Sequence, residues 1–237
     1  MARGPTDEER NTMAVRCHVM LVHGAWHGGW AWDPLIPHLL GAGLDVEVVD
    51  LPSAGRGGDL AADATVVRDA LRANPWPTVL VGHSYGGIVV SEAAAGEPNV
   101  MSVVYLAAFM LDTGESLLGA LGGQSPSWIE VDAEAGVSRV PDPVPVFYAD
   151  LPDVVAQGYA SRLSDQSLAS FAAAQTAAAW QDVPSVYVAC TQDRAIPYAA
   201  QQAMSARARV VYTLKSSHSP FASHPDEVAS IIATAAG

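Results

Sequence analysis

The sequence predicts an α/β protein, a mostly parallel sheet of about six strands covered by helices and roofed by a small helical cap. Three observations carry this expectation. Short apolar runs alternate with segments of helical composition through most of the 237 residues, which is the pattern of a parallel sheet buried on both faces. One interval of nearly eighty residues, from Leu106 to Ser185, breaks that rhythm without offering a convincing strand. A serine framed by glycines stands where one strand-like run gives way to a helix-like one.

The strand-like runs are Cys17–Val22, Asp45–Asp50, Thr78–Val81, Met101–Leu106, Ser185–Cys190 and Arg209–Leu214. Each is short and rich in residues that favour strands. Helical composition falls at Pro34–Leu40, Leu60–Ala73, Ser84–Ala95, Pro197–Ala206 and Asp226–Ala235, and the crossovers should be right-handed. The long interval holds Pro126, Pro141, Pro143, Pro145 and Pro152, followed by a helical Leu168–Trp180. It reads as a cap at about 112–182 over the carboxyl ends of the strands, where such sheets bind ligands. The domain is expected over 15–237 behind a flexible tail at 1–14, with Met13 as an alternative start.

Half the residues are hydrophobic and 16% are charged, the composition of an enzyme-like globule long enough for a good core. The net charge of −13 argues against nucleic acid, whose phosphates need clustered Lys and Arg, and against an anionic membrane surface. No apolar run approaches the ~20 residues of a membrane span. The polar start lacks a signal-peptide core, so the cytoplasm is the expected location. Cys17 and Cys190 lie in apolar runs and read as free thiols. No ligand spacing for a metal is present, and no cofactor is expected. Oligomeric state stays open, with a homodimer as one arrangement.

Gly82-His83-Ser84-Tyr85-Gly86 follows the apolar Thr78–Val81 and precedes the helix-like run from Ile88. Strand, tight turn and helix are the setting in which a strained serine exposes its oxygen as a nucleophile. A serine hydroxyl needs a base, and an imidazole oriented by a carboxylate suits the task. Asp193, just past the run ending at Cys190, is the leading acid, and Asp112 is the rival. His218, four residues past the last strand, is the leading base. His224, in His224-Pro225-Asp226-Glu227, looks like the start of the final helix. The oxyanion of a tetrahedral intermediate needs backbone donors. Tyr85, after the serine, and Ala25, in the glycine-rich His23–Trp30 loop, are placed to supply them.

These residues together resemble the α/β-hydrolase superfamily. The His23–Trp30 block, the Gly82–Gly87 turn and Cys190–Pro197 look like the branch holding plant methyl esterases, hydroxynitrile lyases and bacterial esterases. The resemblance implies a sheet derived from eight strands, here lacking the first two, with nucleophile Ser84, acid Asp193, base His218 and oxyanion amides from Ala25 and Tyr85. Hydroxynitrile lyases of that branch resemble one another in a Thr and a Lys where this chain has Gly24 and Ser219. That departure favours ester hydrolysis. The expected activity is a serine esterase acting through an acyl-enzyme on a small to medium, largely apolar ester. A lyase or cofactor-free oxygenase on the same scaffold, or a hydrolase-like receptor, are the alternatives. Trp26, Trp128, Phe147, Tyr148, Phe171 and Trp180 are the expected substrate-binding wall. Eight acids against two bases between Glu115 and Trp180 make a strongly anionic acyl group less welcome.

Overall fold

Every residue of His18–Val22 (β1) is buried, and its side chains alternate between two apolar cores. Val19 and Leu21 join one, Met20 and Val22 the other, as the two-residue repeat of a strand requires. Thr78–His83 (β3) does the same, with Val79 and Val81 on the first face and Leu80 on the second. Asp45–Val49 (β2), Val100–Leu106 (β4), Ser185–Cys190 (β8) and Val210–Leu214 (β9) complete a six-stranded sheet. Its order is β2-β1-β3-β4-β8-β9, and every neighbouring pair is parallel. This computed structural model describes residues 17–55 and 57–237. The tail expected at 1–14 and the candidate start at Met13 lie outside the described residues.

The strand order reverses at β1, which has β2 on one side and β3 on the other. Chains leaving the carboxyl ends of β1 and β3 therefore part in opposite directions, and a crevice opens between them. The loop after β1 and the serine turn after β3 both border it.

Ile36–Gly41 (α1) and Pro225–Ala236 (α10) cover the face of Val19 and Leu21 through Leu39, Val228, Ile231 and Ile232. Leu60–Ala73 (α2) and Gly86–Ala94 (α3) cover the other face. In α2 the carboxylate of Asp59 accepts the Ala62 N–H at 2.9 Å and caps the helix. Leu60, Ala64, Val67 and Leu71 then form one buried stripe at helical spacing. Asp63 shares the buried side of this helix. Cys17 and Cys190 are free thiols. No described helix is long and apolar enough to cross a membrane.

The segment 107–184 folds above the carboxyl ends of the strands and departs from the expectation of a helical cap. It contains helices at Leu117–Ala120 (α4), Val144–Phe147 (α5), Asp153–Ala160 (α6) and Leu168–Ala172 (α7). It also contains a small antiparallel sheet of Glu130–Asp132 (β5), Val137–Arg139 (β6) and Gln166–Ser167 (β7), in the order β5-β6-β7. The helix expected over Leu168–Trp180 stops at Ala172 and resumes only as a 3-10 turn at Ala179–Gln181. Outside partners draw the backbone away between them. Gln175 exchanges backbone hydrogen bonds with Gly114 and Glu115, and the Thr176 and Ala177 amides donate to the Glu92 carboxylate.

The start of α3 lies hard against the end of β1. A Cβ on Gly86 would stand 2.6 Å from the His23 carbonyl oxygen and 2.7 Å from that of Val22, backbone atoms that cannot rotate away. Gly86→Ala is expected to cost about 1–3 kcal/mol and to lower the thermal midpoint by roughly 2–4 °C per kcal/mol. Gly158→Ala, with open space at its Cβ, should leave the midpoint near that of the parent in the same melting experiment.

Candidate active site

Ser84 stands between β3 and α3 with φ at 53°, in the left-handed region that costs an ordinary residue about 1–3 kcal/mol. The turn is held from several sides. The Ser84 N–H donates to Leu106 O at 3.3 Å, and its carbonyl accepts from Gly87 N at 3.0 Å and Phe109 N at 3.1 Å. The loop after β1 presses against it, since a Cβ on Gly24 would lie 2.8 Å from Ser84 Cβ. A glycine at 24 lets that loop reach the serine.

Asp193 follows β8 and His218 follows β9, and the two meet at the same edge of the sheet. His218 Nδ1 lies 2.8 Å from Asp193 Oδ2, with both side chains buried. Asp193 Oδ1 accepts the amides of Ala195 at 2.7 Å and Ile196 at 2.9 Å, and Oδ2 also accepts Gln201 Nε2 at 2.9 Å. An ionised carboxylate with this set of donors is fixed in place. Its bond to Nδ1 leaves Nε2 as the imidazole nitrogen able to take a proton. His83 Nε2 donates to the His218 carbonyl at 2.8 Å, and the two rings lie 4.7 Å apart. The residue before the serine therefore buttresses the backbone of the histidine.

The cap grips the His218 loop as well. Asp150, just after α5, accepts Ser217 N at 2.9 Å, Ser216 Oγ at 3.1 Å and the Ser217 hydroxyl. Burial pushes the Asp150 carboxyl up, but hydrogen bonds from Ser217, Ser223 and Ser216 outweigh it and hold the group below its ordinary range.

Neither the Ala25 nor the Tyr85 amide donates to another backbone group among the described residues. Two histidines shape the loop that carries Ala25. His23 Nε2 accepts the Leu51 amide at 3.0 Å, so its proton sits on Nδ1, 2.8 Å from Gly24 O. His27 Nδ1 lies 2.8 Å from Ala25 O, and its Nε2 accepts the Tyr148 hydroxyl at 2.8 Å. Among the described residues no three His, Cys, Asp or Glu side chains group to hold a metal.

A narrow apolar pocket opens at Ser84. Of the expected wall, Trp26, Trp128, Phe147 and Phe171 line it, joined by Ala25 and Tyr85. Trp26 is the centre of the box, with ring centroids 5.8 Å from Trp128, 5.8 Å from Phe147 and 5.5 Å from Phe171. Phe109, Leu117, Leu121, Ile129, Ala195 and Ile196 complete the lining, which carries no charged side chain.

Tyr148 and Trp180, expected in the wall, stand outside it. Tyr148 is fully buried with its hydroxyl spent on His27. Trp180 donates Nε1 to Leu111 O at 2.7 Å and lies under the Arg207 guanidinium. Asp112 sits in a turn into the cap, accepting Thr113 N and Gln181 Nε2. His224 opens α10, its Nδ1 2.8 Å from Ser223 Oγ. Sequence reasoning passed over Gln201 and Asp150, whose partners become visible only once the strand-end loops meet.

The chain belongs to the α/β hydrolase family, which matches residues 19–231. It is 29% identical over 243 residues to an α/β hydrolase, nvfD, of Aspergillus novofumigatus, covering 92% of this chain and 96% of that protein. Methylesterase 1 of Arabidopsis thaliana is 29% identical across 79% of this chain and 82% of its own length. A solved pyrethroid hydrolase from Sphingobium faniae superposes with a TM-score of 0.80 at 25% identity, covering 93% of this chain and 97% of that one. Such kin agree with the resemblance carried by the motifs.

Burial drives the His27 pKa down to about 3, against a partial lift from the Ala25 carbonyl, and burial likewise holds His83 well below its ordinary value. Between pH 6.5 and about 3 the unfolded chain binds a proton that folded His27 does not, and His83 acts in the same direction below pH 6.5. Their contribution to stability is therefore whole above pH 6.5 and is lost as the pH falls below it, for His27 down to about 3. The loss is up to about 1.4 kcal/mol per pH unit for each histidine. Thermal midpoints should fall steadily from pH 7 to pH 5, with a shallower slope in His27→Gln. A midpoint flat over that range would contradict neutral burial.

Proposed function

We propose that this protein is a serine esterase that cleaves small to medium, largely apolar carboxylic esters through an acyl-enzyme. One observation supports the reading above others. A serine strained at φ 53° opens on an apolar pocket beside a buried imidazole that is hydrogen-bonded to a carboxylate at 2.8 Å. Phe147 links the two, lining the pocket with Ser84 and lying 5.5 Å from the His218 ring.

In this mechanism Ser84 Oγ attacks the ester carbonyl carbon while His218 Nε2 takes the hydroxyl proton. Asp193 holds the imidazolium in orientation and balances its charge. The carbonyl oxygen becomes an oxyanion facing the Ala25 and Tyr85 amides. Collapse expels the alcohol, which leaves with the proton from Nε2. Water then repeats the sequence on the acyl-serine, giving the carboxylic acid and restoring Ser84. Among the described residues no hydrogen bond joins Ser84 to His218. Such contacts are often long before substrate arrives and tighten in the complex.

An uncharged aromatic box binds an ester through buried area and offers nothing to offset the desolvation of a charge. Neutral acyl groups are therefore the fitting substrates. The lyase alternative finds less support, because the residue beside His218 is Ser219, whose side chain carries no cation, and no cation lines the pocket.

Ser84→Ala should lower hydrolysis of short p-nitrophenyl esters by about 10⁶-fold and abolish labelling by a fluorophosphonate. Asp193→Asn should cost about 10⁴-fold, while Asp112→Asn stays within about threefold of the parent. Full turnover in the serine variant overturns the mechanism, and a reversed order of the two aspartates overturns the choice of acid.

A further inference from the structure

The mechanism leaves one buried polar cluster unused. Asp63, on the core side of α2, is fully buried. Its Oδ1 accepts Ser53 N at 2.9 Å, and its Oδ2 accepts Ser53 Oγ at 2.5 Å and the Tyr85 hydroxyl at 2.7 Å. Gln166, on β7 in the cap, is also fully buried. Its Nε2 donates to Ser53 Oγ and Ser170 Oγ, both at 2.8 Å, and its Oε1 accepts the Trp26 amide at 3.1 Å.

The protons in this cluster run one way. Trp26 N–H points to Gln166, the Gln166 amide to Ser53, the Ser53 hydroxyl to Asp63, and the Tyr85 hydroxyl to Asp63 from the other side. A carboxylate, which only accepts, is the terminus such a chain needs. The Gln166 amide has one satisfied orientation, because two hydroxyl oxygens face its nitrogen and a donor faces its oxygen. Networks of this kind fix geometry tightly when every member is satisfied.

What the cluster holds is informative. Tyr85 supplies one oxyanion donor, and Trp26 directly follows the residue that supplies the other. Trp26 has φ at 63°, an uncommon conformation for so bulky a side chain, which persists only where surroundings impose it. The cap imposes it at further points, with Trp26 O accepting Ser164 N at 2.9 Å and Trp26 Nε1 donating to Ser138 O at 3.1 Å. The Asp63 and Gln166 side chains are absent from the pocket lining.

We propose that Asp63 and Gln166 are positioning residues that hold the two halves of the oxyanion hole, the Tyr85 turn and the Ala25-Trp26 segment, at a fixed separation. The two halves come from different loops, after β3 and after β1, and no covalent feature sets the gap between them. The Ser53–Asp63–Gln166 cluster bridges it from behind. The proposal rests on the esterase reading above, through its assignment of the two amides.

The test compares Gln166→Met, which keeps length and volume, Asp63→Asn and Tyr85→Phe with the parent enzyme on a p-nitrophenyl ester. A trifluoromethyl ketone, which forms a tetrahedral oxyanion with the serine, serves as the inhibitor. Loosening the hole should lower kcat by about 10–100-fold with KM within about threefold. The trifluoromethyl ketone Ki should rise by the same factor as kcat falls, while the Ki of the matching non-fluorinated amide stays level. A merely structural role would lower the melting temperature without that proportionality. Should Gln166→Met not fold, Tyr85→Phe removes a single hydroxyl and carries the same expectation. Unchanged kcat in folded variants, or a fall in kcat with an unmoved ketone Ki, overturns the proposal. Ser84-dependent turnover of the parent, measured alongside, separates that failure from failure of the esterase reading.

Discussion

The left-handed backbone at Ser84 is the constraint on which the remaining geometry turns. A serine at φ 53° cannot sit in the line of β3 or in the spiral of α3, so the chain must reverse sharply around it and leave the hydroxyl standing clear. That reversal is tolerable only because neighbouring backbone comes very close. Gly82 lies against the Gly86 carbonyl, and Gly86 lies against the end of β1. The small residues that permit the turn also draw the β1 loop to the serine, which brings Ala25 to the same side as Tyr85. One strained residue thus sets where both amides are found.

The proposed proton-transfer groups and the proposed substrate-binding groups come from different layers. Asp193 and His218 belong to loops after β8 and β9, and their hydrogen bonds reach helix α8 (Tyr198–Ser205) through Gln201. The aromatic box around Trp26 draws on the cap through Trp128, Phe147 and Phe171. The sheet therefore supplies rigidity where angles matter, and the segment 107–184 supplies shape. Its lack of charge makes the pocket a low-dielectric setting, in which amides aimed at a developing oxyanion act more strongly than they would in water.

Much of this was legible beforehand, and the reasons are physical. All six strands of the main sheet lie within one or two residues of the apolar runs. The inner four are buried on both faces and so read as apolar, whereas the edge strands β2 and β9 are only partly buried and were legible through their β-branched residues. Leu60–Ala73 has the same limits in sequence and structure, its start fixed by the Asp59 cap and its body by a continuous stripe. The small sheet escaped notice because β7 is two residues long and its pairing of Val137 with Ser167 spans a long loop. Tyr148 read as pocket wall on aromatic character alone, whereas a buried phenol must find a partner, and His27 is that partner. Gln201, Asp150 and Gln166 left no signal at all. A lone polar residue acquires meaning from what it faces, and the groups these three face lie 8, 67 and 140 positions away.

Asp150 belongs to the segment above the sheet, yet the backbone it holds leads directly into His218, the proposed base. Exchanging that whole segment for one from a relative would thus remove an anchor of the imidazole together with the old roof. Drift in substrate preference has an easier route through Leu117, Leu121 and Ile129, whose side chains line the cavity without taking part in any polar anchorage. The architecture is in this sense modular by residue and indivisible by segment.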